Sequence, residues 1–262
     1  MSSEPANDPV DIDAYSVLEK AALQLQIDLQ HERLERLRER IDQLACRLAE
    51  LPEIPNAFAL RGLGVAYGVL SDARAAKGDY ISAFEAAASA ARLCERVRRI
   101  VGDTVIALHD EQLAQARIGT ALWHLSDPQG ALKPFQRALE LAECLREVEG
   151  DLPEALSGES HCLVKVGEVL SALGNPNAAN ERFKRATTLA RQARKLGGDT
   201  AQTLRDESIC YQRRAMVAHP KSESIRLFRK AIDLYHRILA IEDLPEIRGE
   251  ITVVEGWIRD LE

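Results

Sequence analysis

Three cations stand in one register of the chain. Arg117, Lys165 and Arg213 follow one another at intervals of 48 residues. At equivalent places on stacked elements they form a basic ladder, and such cations hold carboxylates by charge-assisted hydrogen bonds. A second reading stays open. Glu111, Glu159 and Glu207 keep the same step, so the cations can pair with these or other nearby carboxylates of the chain itself. Cys162 and Cys210 are also 48 apart, and there cysteine reads as a small buried apolar residue. Catalytic chemistry finds little footing. His31-Glu32 lacks a second histidine at zinc-protease spacing, and His109-Asp110-Glu111 reads as a capped helix start. No glycine-rich phosphate loop precedes a helix. A serine nucleophile needs a positioned base, and none is visible. The expectation is no enzyme, no metal and no cofactor.

The composition limits what can position these residues. Of 262 residues, 46% are apolar and 29% charged, enough for a packed core and too apolar for disorder. Forty-one acidic against 34 basic residues give a net charge of −7, which argues against a nucleic-acid partner. No run approaches the roughly 18 consecutive apolar residues of a membrane helix. The opening MSSEPANDPVDID is acidic and polar, so no secretory signal is expected. Five cysteines without a CxxC pair fit a reducing cytoplasm better than a disulfide framework or zinc knuckle.

The elements repeat. Gly102-Asp103, Gly150-Asp151 and Gly198-Asp199 recur every 48 residues, as do Leu93, Leu141 and Leu189, and Arg98, Arg146 and Arg194. Phe135 and Phe183 keep the step, but Phe228 follows after 45. Three residues are therefore missing between Ala215 and Phe228, which points to the turn at His219-Pro220. Apolar spacing of three and four, as in Leu132, Phe135, Leu139 and Ala142, makes each unit two helices. Asp127-Pro128 and Asn175-Pro176 read as an N-cap followed by proline at the first helical position. Gly102, Gly150 and Gly198 suit a left-handed C-terminal cap. Asp103, Asp151 and Asp199 are then expected to cap the helices that follow. Gly119 and Gly167 let helices approach, with Phe135 and Phe183 filling the space where they diverge.

The patterns Gly119…Ala131-x3-Phe135-x2-Ala138 and Gly167…Ala179-x3-Phe183-x2-Ala186, with the Gly78-Asp79-Tyr80 turn, resemble tetratricopeptide repeats, in a long-helix variety found in bacterial regulatory and scaffold proteins. The resemblance spans roughly residues 56–241. It implies an all-α fold, an α-solenoid: a right-handed superhelix of four hairpins, with a C-terminal capping helix at 246–261 and the solenoid filling 56–262. It further implies that ligands meet the first helix of each hairpin, on the face flanking the small glycine position. That places Arg117, Thr120, Trp123 and His124 in the second unit. The third contributes His161, Lys165 and Glu168, and the fourth Gln212, Arg213 and Met216. Trp123 is either an exposed anchor in a groove or packed on the turn of its own hairpin. The implied role is a non-enzymatic adaptor, chaperone or regulator that captures a protein or peptide partner, an acidic one suiting the ladder.

The N-terminal part differs. Residues 1–12 read as disordered, and residues 13–51, free of glycine and proline, as one long amphipathic helix. Leu23, Ile27, Leu34, Leu37, Ile41, Leu44, Leu48 and Leu51 form a near-heptad seam with charged flanks. Two readings follow: packing in cis on the first hairpin, or a homodimer through residues 23–51, which makes the alternative function structural self-association. A ligand-sensing or enzymatic pocket inside the superhelix is a weaker alternative.

Overall fold

A computed structural model describes residues 38–39, 41–43 and 57–262. The expectations for residues 1–12, and for most of the helix at 13–51, lie outside the described residues. The chain divides into two compact units, Met1–Gly102 and Asp103–Glu262.

In the first unit, α1 (Ala57–Ala76) and α2 (Tyr80–Val101) form an antiparallel hairpin. Asp79 caps α2 by accepting from the Ser82 backbone N–H at 3.2 Å. Ser71 and Ala87 take the places held elsewhere by glycine and phenylalanine. Both are buried, and the Ser71 hydroxyl donates to the Ala83 carbonyl at 2.8 Å. Of the expected seam residues, Ile41 is described: it is fully buried in this unit, clustered with Leu63, Ala66, Leu70 and Ala86. Tyr67 donates its hydroxyl to Asp42 at 3.1 Å. Ile41 thus lies against the hairpin of its own chain.

The second unit runs α3 (Val105–His124), α4 (Pro128–Glu149), α5 (Pro153–Ala172), α6 (Pro176–Gly197), α7 (Ala201–Val217), α8 (Lys221–Ile241) and α9 (Pro245–Leu261). Each helix packs on the next, and α5 also touches α7. That is the solenoid order, with first helices α3, α5 and α7 adjacent along one face. The proline-led starts fall where the sequence puts them. Asp127 accepts from the Gly130 N–H at 2.8 Å, and Asn175 from that of Ala178 at 3.2 Å. Helix α9 closes the apolar end through Ile247, Ile251, Val254 and Ile258, with Trp257 tilted on Phe228 at 5.5 Å. Among the described residues, no helix is long and apolar enough to cross a membrane.

Two expectations need correction. The aspartates after the boundary glycines do not cap the following helices. Thr104 caps α3, Thr200 caps α7, and α5 has no side-chain cap. Asp151 and Asp199 instead accept from Arg146 Nη1 at 3.0 Å and Arg194 Nη1 at 2.7 Å. The boundary glycine turns the chain so that its aspartate reaches back to the preceding helix: Gly150 has φ +83° and Gly198 +81°, where a Cβ would be strained. The second correction concerns the three missing residues. The α7–α8 turn keeps three residues, Ala218 to Pro220, like the turns at Leu125–Asp127 and Leu173–Asn175. The loss falls on the helix: α7 has 17 residues where α3 and α5 have 20.

Buried carboxylates tie the first helices of this unit, α3, α5 and α7, to their neighbours. Glu159 is fully buried and accepts from Arg146 of α4 at 2.6 Å and from Arg185 of α6. Glu207, 2% exposed, accepts from Arg194 at 2.6 Å and Arg191 at 3.4 Å. Glu111 accepts from Arg137 at 3.0 Å. The repeated glutamates are thus engaged by arginines of the second helices.

Candidate functional site

The first helices carry apolar positions inward and leave a groove at their C-terminal ends. Its volume is about 590 Å³. The floor is apolar: Phe135 of α4, Val169 of α5 and Phe183 of α6 are all buried. The phenylalanines reach the floor because glycine faces them. A Cβ on Gly119 would stand 2.7 Å from the Phe135 ring, and one on Gly167 2.5 Å from that of Phe183. Each ring therefore lies directly over its glycine, closer than a role in filling a divergent gap requires.

The rim carries the side chains expected to meet a ligand. Thr120, Trp123 and His124 come from α3, Lys165, Glu168 and Ser171 from α5, and Arg213 and Met216 from α7. Trp123 is 36% exposed and Met216 57%. Trp123 is thus a rim residue open to solvent. Between them lies a charge cluster. Lys165 Nζ is 3.0 Å from Glu168 Oε2, and Arg213 Nε is 2.5 Å from Glu168 Oε1. One carboxylate of α5 bridges a cation of its own helix and one of α7. The Arg213 Nη1 also reaches the Met216 sulfur at 3.8 Å.

Seven of the ten expected residues are brought together here: Thr120, Trp123, His124, Lys165, Glu168, Arg213 and Met216. Three are not. Gln212 is 3% exposed and donates to the Tyr235 hydroxyl at 2.8 Å, so it joins α7 to α8 in the core. Arg117 is half-buried on α3 and His161 is exposed on α5, and neither lines the groove. For Arg117 the reason is obliquity. The groove takes α3 from Thr120 onward, whereas α5 and α7 enter it one turn earlier, at Lys165 and Arg213. The ladder therefore contributes two cations, and the carboxylate that pairs them is Glu168, not the repeated glutamates. The floor residues Phe135 and Phe183 were not among the expected contacts, although their pairing with glycine in the repeat marked them.

The Ser157 hydroxyl donates to Asp206, which also accepts from Gln202 at 2.7 Å. Crowding by surrounding protein, then the Lys165 charge, hold the His161 pKa below the ordinary histidine value. Cys162 and Cys210 are buried as expected. Burial pushes their thiols up to about 11 and about 12, against hydrogen bonds from Gln112 to Cys162 at 3.3 Å and between Ser160 and Cys210 at 3.4 Å. Cys144 is the half-exposed one among the described thiols, all of which are free. A brief iodoacetamide pulse at mildly alkaline pH, read by peptide mass spectrometry, is therefore expected to label Cys144 well ahead of Cys162 and Cys210. Equal rates would contradict the burial. Among the described residues, no cluster of three histidine, cysteine or acidic side chains is placed to hold a metal ion.

Helical hairpins of this order, with a glycine under an aromatic ring in the two hairpins α3–α4 and α5–α6, define a TPR-like fold. The comparison with solved structures agrees. The nearly identical TPR-like repeats of a candidate kinesin light chain from Podosopora anserina superpose with a TM-score of 0.55 at 14% identity, covering 84% of this chain and 95% of that one. BtubC (BKLC) from P. vanneervenii matches over 92% of both chains at 11% identity and a TM-score of 0.46. MamA of MSR-1 matches over 82% of this chain and 97% of that one, at 17% identity and 0.42. The latter two superpose too loosely to add to the assignment. No family model and no curated protein matches the sequence. The fold is the TPR-like α-solenoid.

Proposed function

We propose that the chain is a non-enzymatic scaffold that captures a segment of a protein partner in the groove of α3, α5 and α7. One observation carries this reading: an open groove of about 590 Å³ with an apolar floor, two exposed apolar rim residues and two cations. A large apolar anchor beside adaptable polar groups is the usual make-up of a binding hot spot. The net charge of −7 favours a protein over nucleic acid. The four thiols among the described residues are all free, which fits a reducing, cytoplasmic setting. Self-association through residues 23–51 is the less supported reading, because Ile41 of that seam is buried within its own chain.

Selection of displayed random dodecapeptides against the full chain tests the reading. Enriched peptides, resynthesised and measured by fluorescence anisotropy, are expected to lose about 2 kcal/mol of binding, roughly thirtyfold in Kd, to Trp123→Ala. Met216→Ala weakens them in the same direction. Peptides that bind both folded variants as tightly as the parent would remove the groove from the account.

A further inference from the structure

We propose that the groove selects an extended segment carrying an aspartate or glutamate side chain next to an aliphatic or aromatic one, and that Glu168 is the internal carboxylate which that side chain displaces. The inference rests on the groove-binding reading above and specifies its ligand.

The charge balance of the groove comes first. Lys165 and Arg213 stand against the single carboxylate of Glu168. One positive charge is left over, in a chain whose net charge is −7. The three side chains are accessible to different degrees. Lys165 and Arg213 are 33% and 34% exposed, whereas Glu168 is 15% exposed. The cations face an incoming group more than the carboxylate does.

The donor inventory comes next. An ammonium has three donors and a guanidinium five. Glu168 takes one N–H of Lys165 and the Nε–H of Arg213, and the Met216 sulfur takes one from Nη1. Donors remain on both cations for a second carboxylate. Glu168 is held only by partly exposed partners, in bonds that cost little to exchange in water. A partner carboxylate brings the same charge-assisted bonds and also carries its neighbours onto the apolar rim. Glu168 thus keeps the cations aligned while the groove is empty, and opposes any segment lacking a negative charge to replace it.

Position on the helices favours a side-chain carboxylate over a chain terminus. The exposed apolar residues lie on the two outer helices, Trp123 on α3 and Met216 on α7, while the carboxylate to be displaced is on α5 between them. A segment crossing the groove therefore has apolar contacts on both sides of its acid.

The test uses the selected dodecapeptides with the full chain. The tightest binder is resynthesised with each acidic residue changed in turn to its amide, and once with its C-terminus amidated. One side-chain change is expected to weaken binding about tenfold or more, with a loss that shrinks at high salt. The ratio of affinities for the acidic and amide peptides is expected to rise about tenfold in Glu168→Gln and to collapse in Arg213→Gln. Thermal melts of both variants establish that they are folded. If Trp123→Ala abolishes binding while the ratio is unchanged in Glu168→Gln, the inference falls and the groove reading stands. Dependence on the terminal carboxylate alone would overturn the side-chain assignment. Enrichment of no peptide sensitive to Trp123→Ala overturns both.

Discussion

Replacing Arg146 and Arg185 together by alanine is expected to cost the second unit about 3–5 kcal/mol, because it leaves a buried charge without a counterion. Glu159 of α5 is fully buried, and its two oxygens accept from these two guanidiniums. Neither arginine alone decides the outcome. Each single variant leaves one cation on the carboxylate and loses one charged hydrogen bond, about 1.5–3 kcal/mol. Removing the acid instead is milder. In Glu159→Gln the arginines, 32% and 41% exposed, can turn their charge to water, and no buried ion is left behind. The order of stabilities in urea titration followed by circular dichroism is thus parent, Glu159→Gln, then the double arginine variant. A double variant within about 1 kcal/mol of the parent would show that the carboxylate reaches water or another cation.

The second large effect lies under the groove. Phe183→Ala is expected to destabilise by about 3–5 kcal/mol, as truncation of a buried ring leaves a cavity. Phe183 is 1% exposed and its ring fills the space over Gly167. Gly167→Ala attacks the same contact from the other side. Its Cβ would stand 2.5 Å from the ring, and overpacking of this kind costs about 1–3 kcal/mol, partly offset by the better helix propensity of alanine. In the Phe183→Ala background the clash is gone, so Gly167→Ala should there be neutral or stabilising. The pair is therefore expected to couple by about 1–3 kcal/mol in a double-mutant cycle. Additive losses would mean that the ring sits elsewhere.

Much of this architecture was legible in the sequence because the repeat states each position several times. Gly119 with Phe135 and Gly167 with Phe183 marked the helix contacts. Asp127-Pro128 and Asn175-Pro176 marked the helix starts. The groove was legible in type and, for Trp123, Lys165, Glu168, Arg213 and Met216, in place. What failed had one physical origin: partners that lie across helix junctions. Asp151 and Asp199 have the right type and place for an N-cap, but an arginine one turn back on the preceding helix holds them. Gln212 shares the small-residue face of α7, but Tyr235 on α8 draws it into the core. Arg117 has the register of Lys165 and Arg213, but the groove runs obliquely across the stack. Spacing along one helix fixes a face. It does not fix how far the next helix slides along it.

The junction bonds have a consequence for how such a chain can change in length. Arg146 meets Asp151 and Glu159, and Arg194 meets Asp199 and Glu207: the same three residue types at the same offsets. A block of 48 residues cut at the boundary glycines therefore carries one half of the joint at its tail and the other at its head. Copied in frame, as with residues 151–198 placed again after Gly198, it finds its own complement on both sides. The joint is indifferent to how many blocks it links. Gene duplication can then extend the array without a matching change elsewhere, and each added block brings another first helix to the binding face.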